Sequence, residues 1–212
     1  MSFDGVVARL RSLPDPLPEP PGVLMAVRID TGEPRPISFD ELVLRPASVL
    51  VLLVPDETGD ARVVLTERVA YDGHHSGEVS FPGGKPEPED EDRVATALRE
   101  AAEEIGLDAV AAAVEVLGVL DPVTIPVSGF RLTPVIAAAA RRPLLRPDRT
   151  EVTRIVEAPV RLFLPGAPIR IVERTVREWP LRYGVYPVDD LEVWGATARI
   201  LGQLGAVLAG SL

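Results

Sequence analysis

The sequence predicts an α/β fold in which a mixed β-sheet is covered by helices. Three observations predict it. Of the 212 residues, 46% are apolar, enough to bury a substantial core in a chain of one-domain length. Short apolar, β-branched runs bounded by proline and glycine are interspersed with two long helical stretches. Their order is strands, helix, strands, helix, without regular strand–helix–strand repetition, which points to a mixed sheet rather than a parallel one.

Taken in order, residues 3–12 read as a short amphipathic helix with Val6, Val7 and Leu10 on one side. Residues 13–22 carry five prolines in ten positions, a density that favours an extended strap over packed structure. The chain therefore divides into an N-terminal helix with a Pro-rich strap, residues 1–22, and a single domain over residues 23–212. Residues 48–54 form a continuous apolar run between Pro46 and Pro55, a strand buried on both faces. A second strand follows over 61–67, after a turn at 56–60. Further strands are expected over 113–120, 131–138, 152–158 and 169–174. Helices are expected over 91–105 and 191–208. There is no internal repeat and no second composition regime.

The formal net charge is −10, which argues against nucleic acid and anionic membranes, because both are held mainly by Lys and Arg. If the substrate is a phosphate compound, something other than net charge must hold it, and a divalent cation is the obvious candidate. The absence of cysteine excludes thiolate metal sites and thiol nucleophiles. The first eleven residues lack the order of a signal peptide, and the longest apolar runs fall short of the ~20 residues of a spanning helix. A cytoplasmic location is expected.

The distinctive stretch is residues 77–107. Val94, Leu98, Ala101 and Ile105 mark the buried stripe of a helix. At about 100° per residue, Glu100, Glu103 and Glu104 gather on another face, and Gly106 stands where a left-handed C-terminal residue belongs. Neighbouring carboxylates repel one another, and the C-terminal end of a helix disfavours negative charge. A cation relieves both, and Mg²⁺ or Mn²⁺ are the oxygen-preferring choices. By itself such a patch also suits a solvated acidic face, with Arg99 pairing Glu103 at i,i+4.

Phe81-Pro82-Gly83-Gly84 precedes this helix, and the helix carries Arg99-Glu100-Ala101-Ala102-Glu103-Glu104-Ile105-Gly106-Leu107. Together they resemble the Nudix box, with Glu91 eight residues before Arg99 and one residue more than usual between Gly84 and Glu91. That insertion is similar to the coenzyme A pyrophosphatase subgroup. So are Leu65-Thr66-Glu67-Arg68, residues 75–84, Ser128-Gly129-Phe130, Thr133-Pro134-Val135, Glu151-Val152 and residues 193–201. The resemblance covers roughly residues 45–205. Two departures stand out: Val69 replaces a usual Ser, and Asp72-Gly73 replaces a usual Leu-Arg.

The resemblance implies a Nudix fold, a mixed sheet sandwiched between helices in an α/β/α arrangement. It implies a metal-dependent pyrophosphohydrolase that cleaves coenzyme A or its derivatives to phosphopantetheine and an adenosine bisphosphate. The Asp72-Gly73 departure motivates ADP-ribose, NADH or another nucleoside diphosphate derivative as the alternative substrate. A non-catalytic binding module is the remoter reading. The resemblance further implies Glu100, Glu103 and Glu104 as metal ligands, with Glu103 or Glu104 doubling as base, and Arg99 orienting them. Gly83 and Gly84 would shape the loop, and Glu91 would fix the loop or helix start. Arg68 and Lys85 are candidates for substrate phosphate contacts, with ordinary surface cations as the other reading. His75 is a candidate substrate contact; its neighbour His74 would point the other way on an extended segment. Glu151 is either a second base from across the site or a cap for the following strand. Trp194 and Phe130 read as core aromatics. The strap and the apolar C-terminal helix leave a homodimer open.

Overall fold

The computed structural model describes residues 1–34, 44–69, 77–125, 128–176 and 178–210. In chain order its elements are α1 (Phe3–Leu10), a 3₁₀ turn (Gly22–Leu24), β1 (Val27–Arg28), β2 (Arg45–Pro55) and β3 (Ala61–Arg68). Next come β4 (Val79–Ser80), β5 (Gly83–Gly84), α2 (Arg93–Ile105), β6 (Val114–Val119), β7 (Val123–Ile125), β8 (Phe130–Ala139) and β9 (Val152–Pro159). A second 3₁₀ turn (Val160–Phe163), β10 (Arg170–Val176), β11 (Trp179–Val188), β12 (Leu191–Val193) and α3 (Gly195–Ala209) complete the chain.

The main sheet is mixed, as expected. Its path runs β4-β3-β2-β8-β6, with β9 on β3, β5 on β2 and β7 on β8. The β2–β8 pair is parallel, with Val49 opposite Pro134 and Leu53 opposite Ala138, while the other pairs are antiparallel. Side chains alternate along β2, and both sets are buried. Leu50, Leu52 and Val54 pack with Ala97, Ala101 and Ile105 of α2. Val49, Val51 and Leu53 share the other core with Val6 and Leu10 of α1 and Leu201, Leu204 and Leu208 of α3. A sheet with helices on both faces follows from that alternation, and each fully buried Leu or Ile stabilises it by about 2 kcal/mol.

A second, smaller sheet runs β1-β11-β10, with β12 also on β11. Here the structure departs from the expected elements. Residues 191–193 do not begin the last helix; they form β12, which closes a hairpin with β11 through Tyr186 opposite Val193. Asp189 supplies the left-handed turn residue with φ 52°, a conformation that short Asp side chains tolerate in such hairpins. Gly195, at φ 63°, then redirects the chain into α3. β11 itself was not expected, because Pro180 and Pro187 punctuate its sequence. Proline is tolerated here because Pro180 lies beyond the β1 pairing at Leu181 and Arg182 and Pro187 pairs with β12 alone, so each has a strand partner on one side only.

Candidate active site

α2 begins where Asp92 accepts hydrogen bonds from the amides of Val94 and Ala95, each at 2.8 Å, so the helix starts after Glu91 rather than at it. It ends at Gly106, φ 64°, in the left-handed conformation that favours glycine. With Ala97, Ala101 and Ile105 turned into the sheet, the three glutamates do not share one environment. Glu104 is 3% exposed. The Glu100 side chain is 16% exposed and that of Glu103 58%. Helical geometry explains the split, since Glu103 lies about 100° around the helix from Glu104.

A cavity of about 1440 Å³ opens beside Glu100 and Glu104, and Arg68, Gly83, Gly84, Lys85 and Glu151 also line it. Glu103 is not on its wall; its carboxylate accepts a hydrogen bond from Arg99 Nη1 at 3.0 Å. Burial pushes the Glu104 carboxyl up to about 7, with Glu151 and Glu100 reinforcing the rise and Arg68 and the Gly83 amide opposing it. Arg68 Nη1 stands 3.9 Å from Glu104 Oε1. Glu104 Oε2 is buried without a hydrogen-bond partner. Burial also raises the Glu100 carboxyl, while Arg99 counters it.

Arg99 ties the helix to the loop before it. Its Nε donates to Asp90 Oδ1 at 3.0 Å and its Nη2 to Asp90 Oδ2 at 3.1 Å, to the Lys85 carbonyl at 2.9 Å and to Glu100 Oε1 at 3.1 Å. That pairing holds the Asp90 carboxyl down at about 2. Gly84 brings backbone against Glu100: a Cβ on Gly84 would stand 2.3 Å from Glu100 Oε1. Gly83, opposite Val49 in β5, is equally confined, since its Cβ would meet the Ser48 carbonyl at 2.3 Å.

The remaining expected residues fall as follows. Glu151 immediately precedes β9, and its carbonyl accepts from the Val69 amide at 2.9 Å. The Lys85 ammonium lies 5.7 Å from the Phe130 ring, which also carries the Arg45 guanidinium at 4.4 Å. Phe130 lines the cavity, so it is not purely a core aromatic. His75, His74 and Asp72-Gly73 lie outside the described residues. The far wall, which the sequence did not point to, comes from the second sheet and the start of α3: Leu181, Tyr183 and Trp194 among them. Trp194 stacks on Tyr183 with centroids 5.2 Å apart.

Among the described residues no three His, Cys, Asp or Glu side chains are already drawn together as a metal cluster. The donor chemistry nevertheless fits a divalent cation. Glu104 presents an unpartnered buried oxygen, and Glu100 and Glu151 line the same cavity. A hard cation is the partner that such an all-carboxylate set lacks.

A NUDIX domain profile matches residues 44–159. Nudix hydrolase 15, mitochondrial, of Arabidopsis thaliana is 38% identical over 81% of this chain and 62% of its own length. Nudix hydrolase 22, chloroplastic, of the same plant is 36% identical over 77% of this chain and 55% of its own length. NudL of Pectobacterium atrosepticum, named an uncharacterized Nudix hydrolase, is 37% identical over 76% of this chain and 81% of its own length. The chain thus spans less than two thirds of the two plant relatives. No helix among the described residues is long and apolar enough to cross a membrane. With the box residues placed on α2 and its preceding loop, and the profile covering more than half the sequence, the chain belongs to the Nudix family.

Proposed function

We propose that the protein is a metal-dependent pyrophosphohydrolase whose substrate is coenzyme A or a derivative, cleaved to phosphopantetheine and adenosine 3′,5′-bisphosphate. The observation that carries this reading is Glu104: a buried carboxylate with an orphaned oxygen, on the wall of a cavity large enough for a dinucleotide-sized ligand. An isolated charge in such a place is costly, and it is retained where it has a cation to hold.

Glu104 and Glu100 would hold Mg²⁺ or Mn²⁺. Glu103 would join them by leaving Arg99, an exposed pairing worth under about 1 kcal/mol. When bound, the cation neutralises the diphosphate and acidifies a water. In the reaction, water adds to one phosphorus, the bond from that phosphorus to the bridging oxygen breaks, and the oxygen departs on the other phosphate. Glu103 or Glu104 takes the proton of the attacking water, with Glu151, across the same cavity, as the alternative base. Arg68 and Lys85 would face phosphate oxygens, and the Gly83-Gly84 backbone would fix Glu100. Arg99 acts through the glutamates and the loop rather than on substrate. The apolar wall of Leu181, Tyr183 and Trp194 would cover the non-phosphate parts of the ligand and exclude water. The cytoplasm, expected from the sequence, and a homodimer, which the sequence leaves open, belong to the same proposal; the organellar names of the plant relatives apply to those proteins.

Asp72-Gly73, in place of the Leu-Arg of the motif that the chain resembles and so without its cation, favours ADP-ribose or NADH as the second reading. Incubation with coenzyme A, ADP-ribose and NADH in Mg²⁺ or Mn²⁺, with products read by mass, separates them. Coenzyme A turnover to the two named products supports the first reading. A tenfold preference in kcat/KM for ADP-ribose supports the second, and no turnover of any of the three refutes both.

A further inference from the structure

The chemistry described above draws its charged groups from α2, Arg68 of β3, Lys85 and Glu151. Arg199, on α3, lines the same cavity and has no role in it. Arg199 is half-buried, and burial lowers its guanidinium pKa. Among the described residues it makes neither a hydrogen bond nor an ion pair; the acid whose charge reaches it is Glu19, from the strap, without pairing. A partly desolvated cation with no partner is uncommon, because the lost hydration is normally replaced by an acceptor.

Around Arg199 the start of α3 supplies donors, and Glu19 reaches it by charge alone. α3 starts without a side-chain cap and without an acidic residue in its first turn, so its first amides lack intrahelical partners. Trp194, Gly195, Ala196 and Thr197, the residues of that start, all line the cavity. Thr197 is only 8% exposed and lines the cavity, and no side-chain hydrogen bond engages its hydroxyl among the described residues, so the hydroxyl is open to the cavity. Arg199 lies one helical turn beyond Gly195, on the same face. Backbone amides at the positive end of a helix, a hydroxyl and a forked guanidinium together form a recognition set for phosphate.

We propose that the start of α3, with Thr197 and Arg199, is an anion-binding subsite that holds a phosphate monoester of the substrate, separate from the diphosphate cleaved beside Glu104. This rests on the reading of the site as a nucleoside diphosphate hydrolase and narrows it to substrates that carry an additional phosphate. α3 packs on β7, whereas Glu100 and Glu104 stand on α2, with Arg99 beside Glu100 and Arg68 beside Glu104. The two anion sites are thus built from different elements.

The test is calorimetric titration of the full chain, in EDTA, with adenosine 3′,5′-bisphosphate and with AMP. The unmodified protein should bind the bisphosphate about tenfold more tightly than AMP. Arg199→Gln should abolish that preference, and Arg199→Lys should restore part of it, with thermal melting confirming that each variant is folded. Equal affinity for the two nucleotides in the unmodified protein overturns the proposal whether or not any variant folds. So does a preference that survives Arg199→Gln, or an equal loss of affinity for both nucleotides. Failure to hydrolyse coenzyme A would refute the substrate proposed above and leave this binding comparison standing.

Discussion

Arg99 grips Asp90 across nine residues of sequence with two parallel hydrogen bonds, at 3.0 and 3.1 Å, and so ties the acidic loop to the glutamate helix. The Asp90 side chain is 5% exposed. The neighbouring acid Glu91, which the box spacing singles out, makes no such contact among the described residues.

From this pairing, Asp90→Asn should loosen Arg99 and, through it, Glu100 and Glu103. We expect kcat/KM to fall about 10–100-fold, the usual size of a lost orienting partner, while Glu91→Gln changes it less than about threefold. Steady-state hydrolysis by the two variants checks this; a larger loss for Glu91→Gln contradicts the assignment.

Gly84 and Gly83 should respond differently to alanine. At Gly84 the added methyl meets the flexible end of Glu100, which can move aside, so thermal stability should hold while activity drops about 100-fold. At Gly83 the methyl meets the backbone of Ser48 and Val49 at 2.3 and 2.6 Å, so the fold itself should lose about 1–3 kcal/mol. Paired melting curves and rates separate the two effects.

Glu104 should make the metal-free protein sensitive to pH. Its folded pKa, about 7, lies above the ordinary 4.5, so the fold takes up a proton between these values and loses stability as pH rises through that window. The shift corresponds to roughly 3–4 kcal/mol at most. Glu104→Gln removes the buried charge, though Arg68, Glu100 and Glu151 remain around it. In EDTA the variant should therefore melt several degrees higher than the unmodified protein at pH 8, with the difference vanishing near pH 4. An equal or lower melting point at pH 8 refutes this.

Gly205 lets α3 touch the turn that follows β9: a Cβ there would lie 1.8 Å from the Phe163 carbonyl oxygen. Because that neighbour is backbone, Gly205→Ala should destabilise the fold by about 2 kcal/mol or more, a fall in Tm of about 4–8 °C. Differential scanning calorimetry checks it.

The sheet strands and α2 were legible because their burial is written in periodicity. The alternation of 49, 51, 53 against 50, 52, 54 requires cover on both faces, and 94, 98, 101, 105 marks one stripe. Three things were not legible. The partner of Arg99 hides in the acidic run 87–92, where residue type alone does not distinguish Asp90 from Glu91. The burial of Glu104 against the exposure of Glu103 depends on how α2 is rotated on the sheet, which local spacing does not report. The far wall, from β11, β12 and the start of α3, comes together through pairing between distant segments, and the prolines of β11 mask its strand pattern.

The central claim is that Glu104 and its neighbours hold a divalent cation that makes diphosphate hydrolysis possible. The most direct measurement is coenzyme A turnover against Mn²⁺ concentration for the unmodified protein and for Glu104→Gln. The account predicts saturable, metal-dependent hydrolysis that EDTA abolishes, and a loss of at least about a thousandfold in kcat for the variant at saturating Mn²⁺. Turnover that persists in EDTA, or a Glu104→Gln protein as active as the unmodified one, would contradict it.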